Sequence, residues 1–126
     1  MDVTPLMKPG RQVIQSYAAG QFKISGEVYS GPVIVTADQT LIWKTENPPD
    51  NLCISDFDQI ENLDQNFDVV LLGCGKSVEF ITPKFKSDLK NKGITIEAMD
   101  TGAACRTYNV MVTEERRVAA VLYPRD

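Results

Sequence analysis

Three short segments of this sequence carry residue types that could do chemistry. The tripeptide Asp-Thr-Gly at 100–102 is what an aspartic protease presents at its catalytic carboxylate, where two carboxylates share a proton and activate water. The segment GCGKS at 73–77 is similar to the end of a phosphate-binding loop. Cys105 and Arg106 could form a reactive thiol beside a cation. Each possibility depends on the elements that hold these residues.

The aspartic protease interpretation of residues 100–102 is not favoured. Half-sized proteases of this kind work as homodimers, and their fold needs much β-structure after the motif. Here only the 24 residues 103–126 follow Gly102, and they have the pattern of one helix and one strand. We therefore predict that Asp100 caps a helix, with its carboxylate accepting hydrogen bonds from the first free amides.

The segment at 73–77 also departs from the phosphate-binding motif. The first glycine of G-x-x-x-x-G-K-[ST] would have to stand at position 70, which is valine, and Val78 breaks the alternative G-x-G-x-x-G pattern. A tight turn after a strand is the favoured interpretation. Because open α/β sheets bind ligands at the carboxyl ends of their strands, Gly73, Gly75 and Ser77 stay candidate site residues.

Cys105 and Arg106 lie one turn into a predicted helix. The sequence has no histidine that could act as a base, and free cysteine is among the more buried residue types, so a structural Cys105 is favoured. Arg106 could grip a carboxylate or phosphate near the strand ends, or form an internal ion pair with a nearby acid. Asp100, Thr101 and Arg106 complete the candidate ligand or partner surface.

Composition indicates one ordinary globular domain over residues 1–126. The net charge of −4 and the pI near 4.8 give no nucleic-acid footprint. Three widely spaced cysteines and no histidine predict neither a disulfide framework nor a metal site, and we expect no cofactor. The apolar run Val69–Cys74 is too short to span a bilayer, and the first residues do not resemble an export signal, so we expect a cytoplasmic location.

The first part of the chain has the period of β-strands. Alternating segments punctuated by glycine are followed by a hairpin with strands at 33–36 and 41–44. A Pro-Pro loop follows, and Ser55 is the predicted N-cap of a short helical turn over 56–62. Residues 1–12 are expected to be extended or flexible.

The second part alternates strands and helices. Strands are predicted at 67–74, 94–99 and 117–124. One helix begins after Thr82 and stops at Gly93, and another runs from Asp100 or Thr101 to about Glu114. The order predicts parallel strands joined by crossovers, so the expected fold is α/β, with a parallel βαβαβ unit preceded by an antiparallel β-hairpin section.

Several segments together resemble one known family. They are GPVIVT (31–36) with Trp43 downstream, VVLLGCG (69–75), ITPKF (81–85) and GITIEAMDTGAACRTYNVMVTEERRVAAVLYP (93–124). Over residues 20–124 the chain resembles domain-of-unknown-function family 498, the family of NADH:ubiquinone oxidoreductase complex assembly factor 3, and it is identified as a prokaryotic member. The resemblance implies a three-layer fold with a mixed central sheet, and it brings no established catalytic residues.

Two functional hypotheses follow. The first is a non-enzymatic protein-binding module that assists assembly of respiratory complex I, with a complex subunit as its partner, at the periphery of the inner membrane. The alternative is a small-molecule or anion binder, or an unrecognised enzyme, with its site at the carboxyl ends of the parallel strands. Self-association is compatible with either, because a small domain with an antiparallel edge can pair strands across a two-fold axis.

Overall fold

Residues 10–125 are described by a computed structural model, and they form two β-sheets and three α-helices. The strands are β1 (Ile14–Ala18), β2 (Gln21–Ile24), β3 (Glu27–Ser30), β4 (Val33–Thr36), β5 (Thr40–Ile42), β6 (Val69–Gly73), β7 (Ile96–Met99) and β8 (Val118–Leu122). The helices are α1 (Asp58–Glu61), α2 (Pro83–Lys90) and α3 (Thr101–Thr113). The segment expected to be extended or flexible, 1–12, lies outside the described residues except for 10–12.

The larger sheet has five strands in the order β5-β4-β8-β6-β7. Strand β6 is parallel to both β7 and β8, while β4 is antiparallel to β8 and β5. The prediction of a mixed central sheet with a parallel unit is therefore confirmed. The predicted antiparallel section divides, because β4 and β5 join the central sheet and β1, β2 and β3 form a second, three-stranded sheet.

The central sheet is covered on both faces, which makes three layers. Helix α3 and the three-stranded sheet cover one face, where Leu71 and Tyr108 belong to one buried cluster. Helices α1 and α2 cover the other face, where Trp43 and Leu89 belong to a second cluster. Alternate side chains of a strand point to opposite faces, so all five residues of Val118–Leu122 are buried, as expected for a strand covered on both sides.

Both helices of the parallel unit begin at the residues predicted from sequence, while α2 ends at Lys90, before the predicted stop at Gly93. The Thr82 hydroxyl accepts a hydrogen bond from the Phe85 N–H at 3.1 Å, with Pro83 in the first helical position. Gly93 follows the helix with a φ of +82°, a conformation that side chains rarely adopt. None of the helices within 10–125 has the length and apolar character that crossing a membrane requires.

The turn after β5 starts differently from the prediction. A 3-10 turn spans Ile54–Phe57, so Ser55 lies inside it and the predicted Ser55 cap is wrong. Cys53 is the N-cap, and the Asp56 carboxylate accepts the Cys53 N–H at 2.8 Å. The same carboxylate accepts hydrogen bonds from the Thr45 hydroxyl and the Asn47 amide. A carboxylate that accepts three hydrogen bonds stabilises the start of the turn more than a single serine hydroxyl would.

Candidate functional site

The carboxyl ends of the parallel strands meet the start of α3 at Thr101. Its hydroxyl accepts a hydrogen bond from the Gly75 N–H at 2.8 Å and donates one to the Tyr123 carbonyl at 2.6 Å. The Thr101 N–H donates to the Gly75 carbonyl at 2.9 Å. Thr101 is fully buried. Its polar groups therefore join the loop after β6, the end of β8 and the first turn of α3.

The two glycines of the loop after β6 are required by packing and by backbone conformation. A Cβ atom added at Gly73 would lie 2.8 Å from Leu122 Cδ2 and 3.1 Å from Thr101 Cα. Gly75 has a φ of +92°, in the left-handed region that favours glycine. The interpretation of residues 73–77 as a tight turn after a strand agrees with this geometry, in which the backbone of Gly75 faces Thr101.

Asp100 is the N-cap of α3, as predicted. Its Oδ1 accepts the Ala103 N–H at 2.9 Å, and its backbone is extended. The next two residues serve contacts of their own: Thr101 joins three segments, and Gly102 makes room for Tyr17, whose hydroxyl oxygen would lie 2.5 Å from a Cβ atom there. The tripeptide is thus explained by the start of a helix.

Arg106 is exposed, and its guanidinium donates a hydrogen bond to the Tyr17 hydroxyl at 3.2 Å. Tyr17 belongs to β1, so this contact ties the three-stranded sheet to α3. Among the described residues Arg106 forms no ion pair, so the expected internal pair with a nearby acid is not found. Its partner is the neutral hydroxyl of Tyr17. The cationic group keeps its exposure to solvent.

The two buried thiols are poor nucleophiles. Burial raises the pKa of Cys105 to about 12, and Cys105 has no exposed surface. Burial also raises the pKa of Cys74, which is 4% exposed. Both thiols are therefore protonated at neutral pH. Because only the thiolate is reactive, neither is a good nucleophile. Cys105 packs in the buried cluster on the α3 side of the sheet, in agreement with the structural interpretation. Residues 10–125 contain no group of three or more His, Cys, Asp or Glu side chains that could hold a metal ion.

The loop between β6 and α2 carries the most exposed apolar side chains at this end of the sheet. Phe80 is 83% exposed and Val78 is 58% exposed, and Ser77 is also exposed. The loop follows directly on Gly75, whose N–H donates a hydrogen bond to the Thr101 hydroxyl at the end of β6. We call residues 76–81 the Phe80 loop.

A groove lies on each side of the Phe80 loop. One, of about 160 Å³, reaches the Pro-Pro segment and is lined by Pro49, Leu52 and Phe85. The other, of about 360 Å³, lies beside β7 and is lined by Lys86, Glu97 and Ala98 together with the loop. A third groove, of about 470 Å³, lies at the opposite end of the sheet and contains three arginines: Arg11, Arg116 and Arg117.

The six predicted site residues therefore separate into two groups. Gly73, Gly75 and Thr101 are buried and hold the strand ends together. Asp100 is half-buried, while Ser77 and Arg106 reach the surface at different points. A functional role for the six stays a prediction. Sequence reasoning did not single out Phe80, although the alternating Val78, Phe80 in a segment without a helical pattern was the available signal.

Comparison with known proteins gives a consistent result. Residues 14–123 match the profile of a family described as a protein of unknown function, DUF498/DUF598. The chain is 32% identical over 112 residues to NADH dehydrogenase (ubiquinone) 1 alpha subcomplex assembly factor 3 of Danio rerio, covering 89% of this chain and 64% of the relative. It is 30% identical over 115 residues to an uncharacterised protein of Rhodobacter capsulatus, covering 91% of this chain and 86% of that one.

A solved structure shares the fold. The crystal structure of a protein from Bordetella parapertussis superposes with a TM-score of 0.81 at 28% identity, covering 91% of this chain and 97% of that chain. The chain spans somewhat less than two thirds of the length of the assembly factor. The residues that match the family profile, 14–123, contain both sheets and α3 of this chain.

Proposed function

Because the chain belongs to the DUF498/DUF598 family, we propose that it is a non-enzymatic protein-binding module that assists assembly of a respiratory membrane complex, namely complex I. The observation that carries the proposal is the match to an assembly factor over 112 residues, 89% of this chain. Its partner is a subunit of the complex, and its place of action is the cytoplasmic periphery of the inner membrane.

The geometry at the strand ends supports a binding role over a catalytic one. The polar groups of Thr101 and Gly75 that a reacting ligand would need are engaged with each other and with Tyr123. The two buried thiols are protonated at neutral pH. By contrast, Phe80 presents a bare aromatic ring, the kind of side chain that commonly anchors a protein interface.

A small-anion site at the carboxyl ends of the strands remains the alternative prediction. It needs Gly75 N–H or the Thr101 hydroxyl to leave its present partner and face a ligand. Arg106 is the one cation among the six predicted residues, and it contacts Tyr17. An anion that bound there would bind more weakly to the Arg106→Ala variant.

Deletion of the gene in its own host tests the assembly role. Membranes from the deletion strain are separated on a native gel and stained for NADH dehydrogenase activity. We expect less assembled complex, with recovery on expression of the wild-type protein. An unchanged amount of complex, or a host that has no complex I, contradicts the proposal.

Variants on the two surfaces then locate the contact. Phe80→Ser and Arg106→Ala are compared with Lys84→Ala, a change at another exposed position whose side chain is 85% exposed. Each variant is first shown to unfold at the wild-type midpoint. We expect Phe80→Ser to fail to restore the complex and Lys84→Ala to restore it.

A further inference from the structure

Side-chain amides close two of the outer edges of the sheets. At β5, Gln59 accepts the Lys44 N–H at 2.6 Å and donates to the Ile42 carbonyl at 3.0 Å. At β1, the buried Asn109 accepts the Ile14 N–H at 3.0 Å and donates to the Ile14 carbonyl at 2.8 Å. Each carboxamide thus takes the donor and the acceptor that another strand would use, which is a known way to prevent unwanted strand pairing.

Strand β7 is the opposite edge of the central sheet, and it has no such cover among residues 10–125. The carbonyls of Thr95 and Met99 accept hydrogen bonds from the neighbouring strand segment at 2.7 and 2.9 Å. Backbone groups of alternate residues point to opposite sides of a strand. Ile96 and Ala98 therefore direct their N–H and C=O groups outward, and no hydrogen bond to them is found within the described part of the chain.

An apolar surface lies directly beside this open edge. The groove of about 360 Å³ is formed by Ala98 and Glu97 of β7, by Lys86 of α2 and by the Phe80 loop. Within the loop, Val78 is 58% and Phe80 is 83% exposed. Strand addition to an open edge uses this combination, in which main-chain hydrogen bonds give affinity and pockets for alternate side chains give specificity.

The charge on β7 distinguishes between possible occupants. Glu97 is exposed and lies between the two outward-facing residues. If a second copy paired antiparallel through Ile96 and Ala98 of both chains, the two Glu97 side chains would stand directly opposite each other. Like charges in that position are destabilising, whereas a cation opposite Glu97 is favourable.

We propose that the open edge of β7 accepts an extended segment of a partner polypeptide by strand addition. The segment alternates apolar and basic residues, with an apolar side chain against Val78 and Phe80 and a lysine or arginine opposite Glu97. The inference rests on the proposed protein-binding function and specifies its surface and the chemistry of the partner.

The test uses the full chain and two labelled ten-residue peptides, one alternating valine with lysine and one alternating valine with glutamate. Binding is measured by fluorescence anisotropy, and amide hydrogen exchange is followed by NMR. We expect the valine–lysine peptide to bind at least tenfold more tightly and to slow exchange at Ile96 and Ala98. Equal binding of both peptides, or no added protection of these two amides, overturns the proposal.

Proline variants separate strand addition from attraction to an acidic surface. Ala98→Pro removes an outward N–H without changing charge, and proline is tolerated where the N–H faces solvent on an edge strand. The matched control is Val28→Pro on β3, because the Val28 N–H also points away from its neighbouring strand. We expect Ala98→Pro to bind about tenfold more weakly, because one backbone hydrogen bond to the peptide is lost and those beside it are weakened. We expect no change in binding for Val28→Pro. Equal binding by wild type and Ala98→Pro refutes strand addition.

Two further variants cover the other outcomes. Phe80→Ser changes a side chain that is largely exposed, so it tests the apolar contact even if Ala98→Pro fails to fold. Glu97→Gln weakens binding of the valine–lysine peptide two- to fivefold if a cation stands opposite. If a second copy is the true occupant, Glu97→Gln instead strengthens self-association in sedimentation, and the proposal is wrong.

The two proposals fail in different ways. A subunit that is captured equally by wild type and Ala98→Pro retains the assembly role and excludes the β7 edge as its surface. A deletion strain with normal complex I removes the assembly role, while the peptide result still decides whether β7 accepts a strand.

Discussion

Replacing Thr101 by valine tests the joint between the strand ends and α3. Valine is similar in shape to threonine but lacks the hydroxyl that contacts the Gly75 N–H and the Tyr123 carbonyl at 2.8 and 2.6 Å. Gly75 and Tyr123 are both buried, so water does not replace the lost partner. An unsatisfied buried polar group costs about 1–3 kcal/mol. Two such groups predict a loss of about 3 kcal/mol, a large part of the ~5–15 kcal/mol of a typical domain.

Equilibrium urea unfolding measures this loss. With an m-value of about 1.5 kcal/mol/M, within the usual range for small proteins, the midpoint of Thr101→Val falls by about 2 M. Thr113→Val is the control, because it makes the same change at an exposed position at the end of the same helix. Thr101→Ser retains the hydroxyl and should recover most of the stability. If Thr101→Val lies within about 0.5 kcal/mol of Thr113→Val, the hydrogen bonds of Thr101 do not hold the site together and the reasoning is wrong.

Three other predictions concern packing, thiols and pH. Gly73→Ala should lower the free energy of unfolding by about 1–3 kcal/mol, because its Cβ would lie 2.8 Å from Leu122 Cδ2; thermal unfolding at the wild-type midpoint would contradict the clash. One thiol, the exposed Cys53, should react with Ellman's reagent in the native protein and three in guanidinium, since burial raises the pKa of Cys105 to about 12. Burial acts to raise the pKa of Asp56, but the three hydrogen bonds that its carboxylate accepts lower the pKa overall. The ionised carboxylate therefore stabilises the fold above its unfolded pKa, and this stabilisation is lost as pH falls through its folded pKa. Asp56→Asn should therefore be less stable than wild type in urea at pH 7, with a smaller difference at pH 3, and an equal difference at both would refute this.

The parallel unit could be predicted from sequence because its signals are local. Thr82 and Asp100 are capping residues directly before helical patterns, and both cap as expected. Gly93 ends the intervening segment. A cap, a proline in the first turn and a terminal glycine act within a few residues of one another, so the chain itself specifies them.

Strand pairing in the first part of the chain could not be predicted in the same way. Besides its hairpin partner β5, β4 pairs antiparallel with β8, and Val35 pairs with Ala120 far along the sequence. Nothing near Val35 distinguishes this partner from β3. The choice is made by the apolar area that β4 buries between both layers, where all four of its residues are buried, and that quantity exists only in the folded molecule.

The candidate site shows the same limit in its side chains. Sequence placed Thr101 and Gly75 at the carboxyl ends of the strands, and the structure brings both there. It could not say that the Thr101 hydroxyl points inward, because orientation depends on which carbonyl the end of β8 supplies. Phe80 was missed because the alternation of Val78 and Phe80 is too short to mark a strand or a binding surface.

The Asp-Thr-Gly tripeptide can be explained one residue at a time. The aspartate satisfies a free amide at the start of α3, the threonine joins two other segments through its hydroxyl, and the glycine leaves room for the Tyr17 side chain. The requirements are independent, since the first is a property of any helix, while the second and third depend on β8 and β1. A catalytic pair would need the Asp100 carboxylate to face a second carboxylate and water. Here Oδ1 faces Ala103, so the same three residue types that serve catalysis elsewhere build the joint from which the Phe80 loop extends.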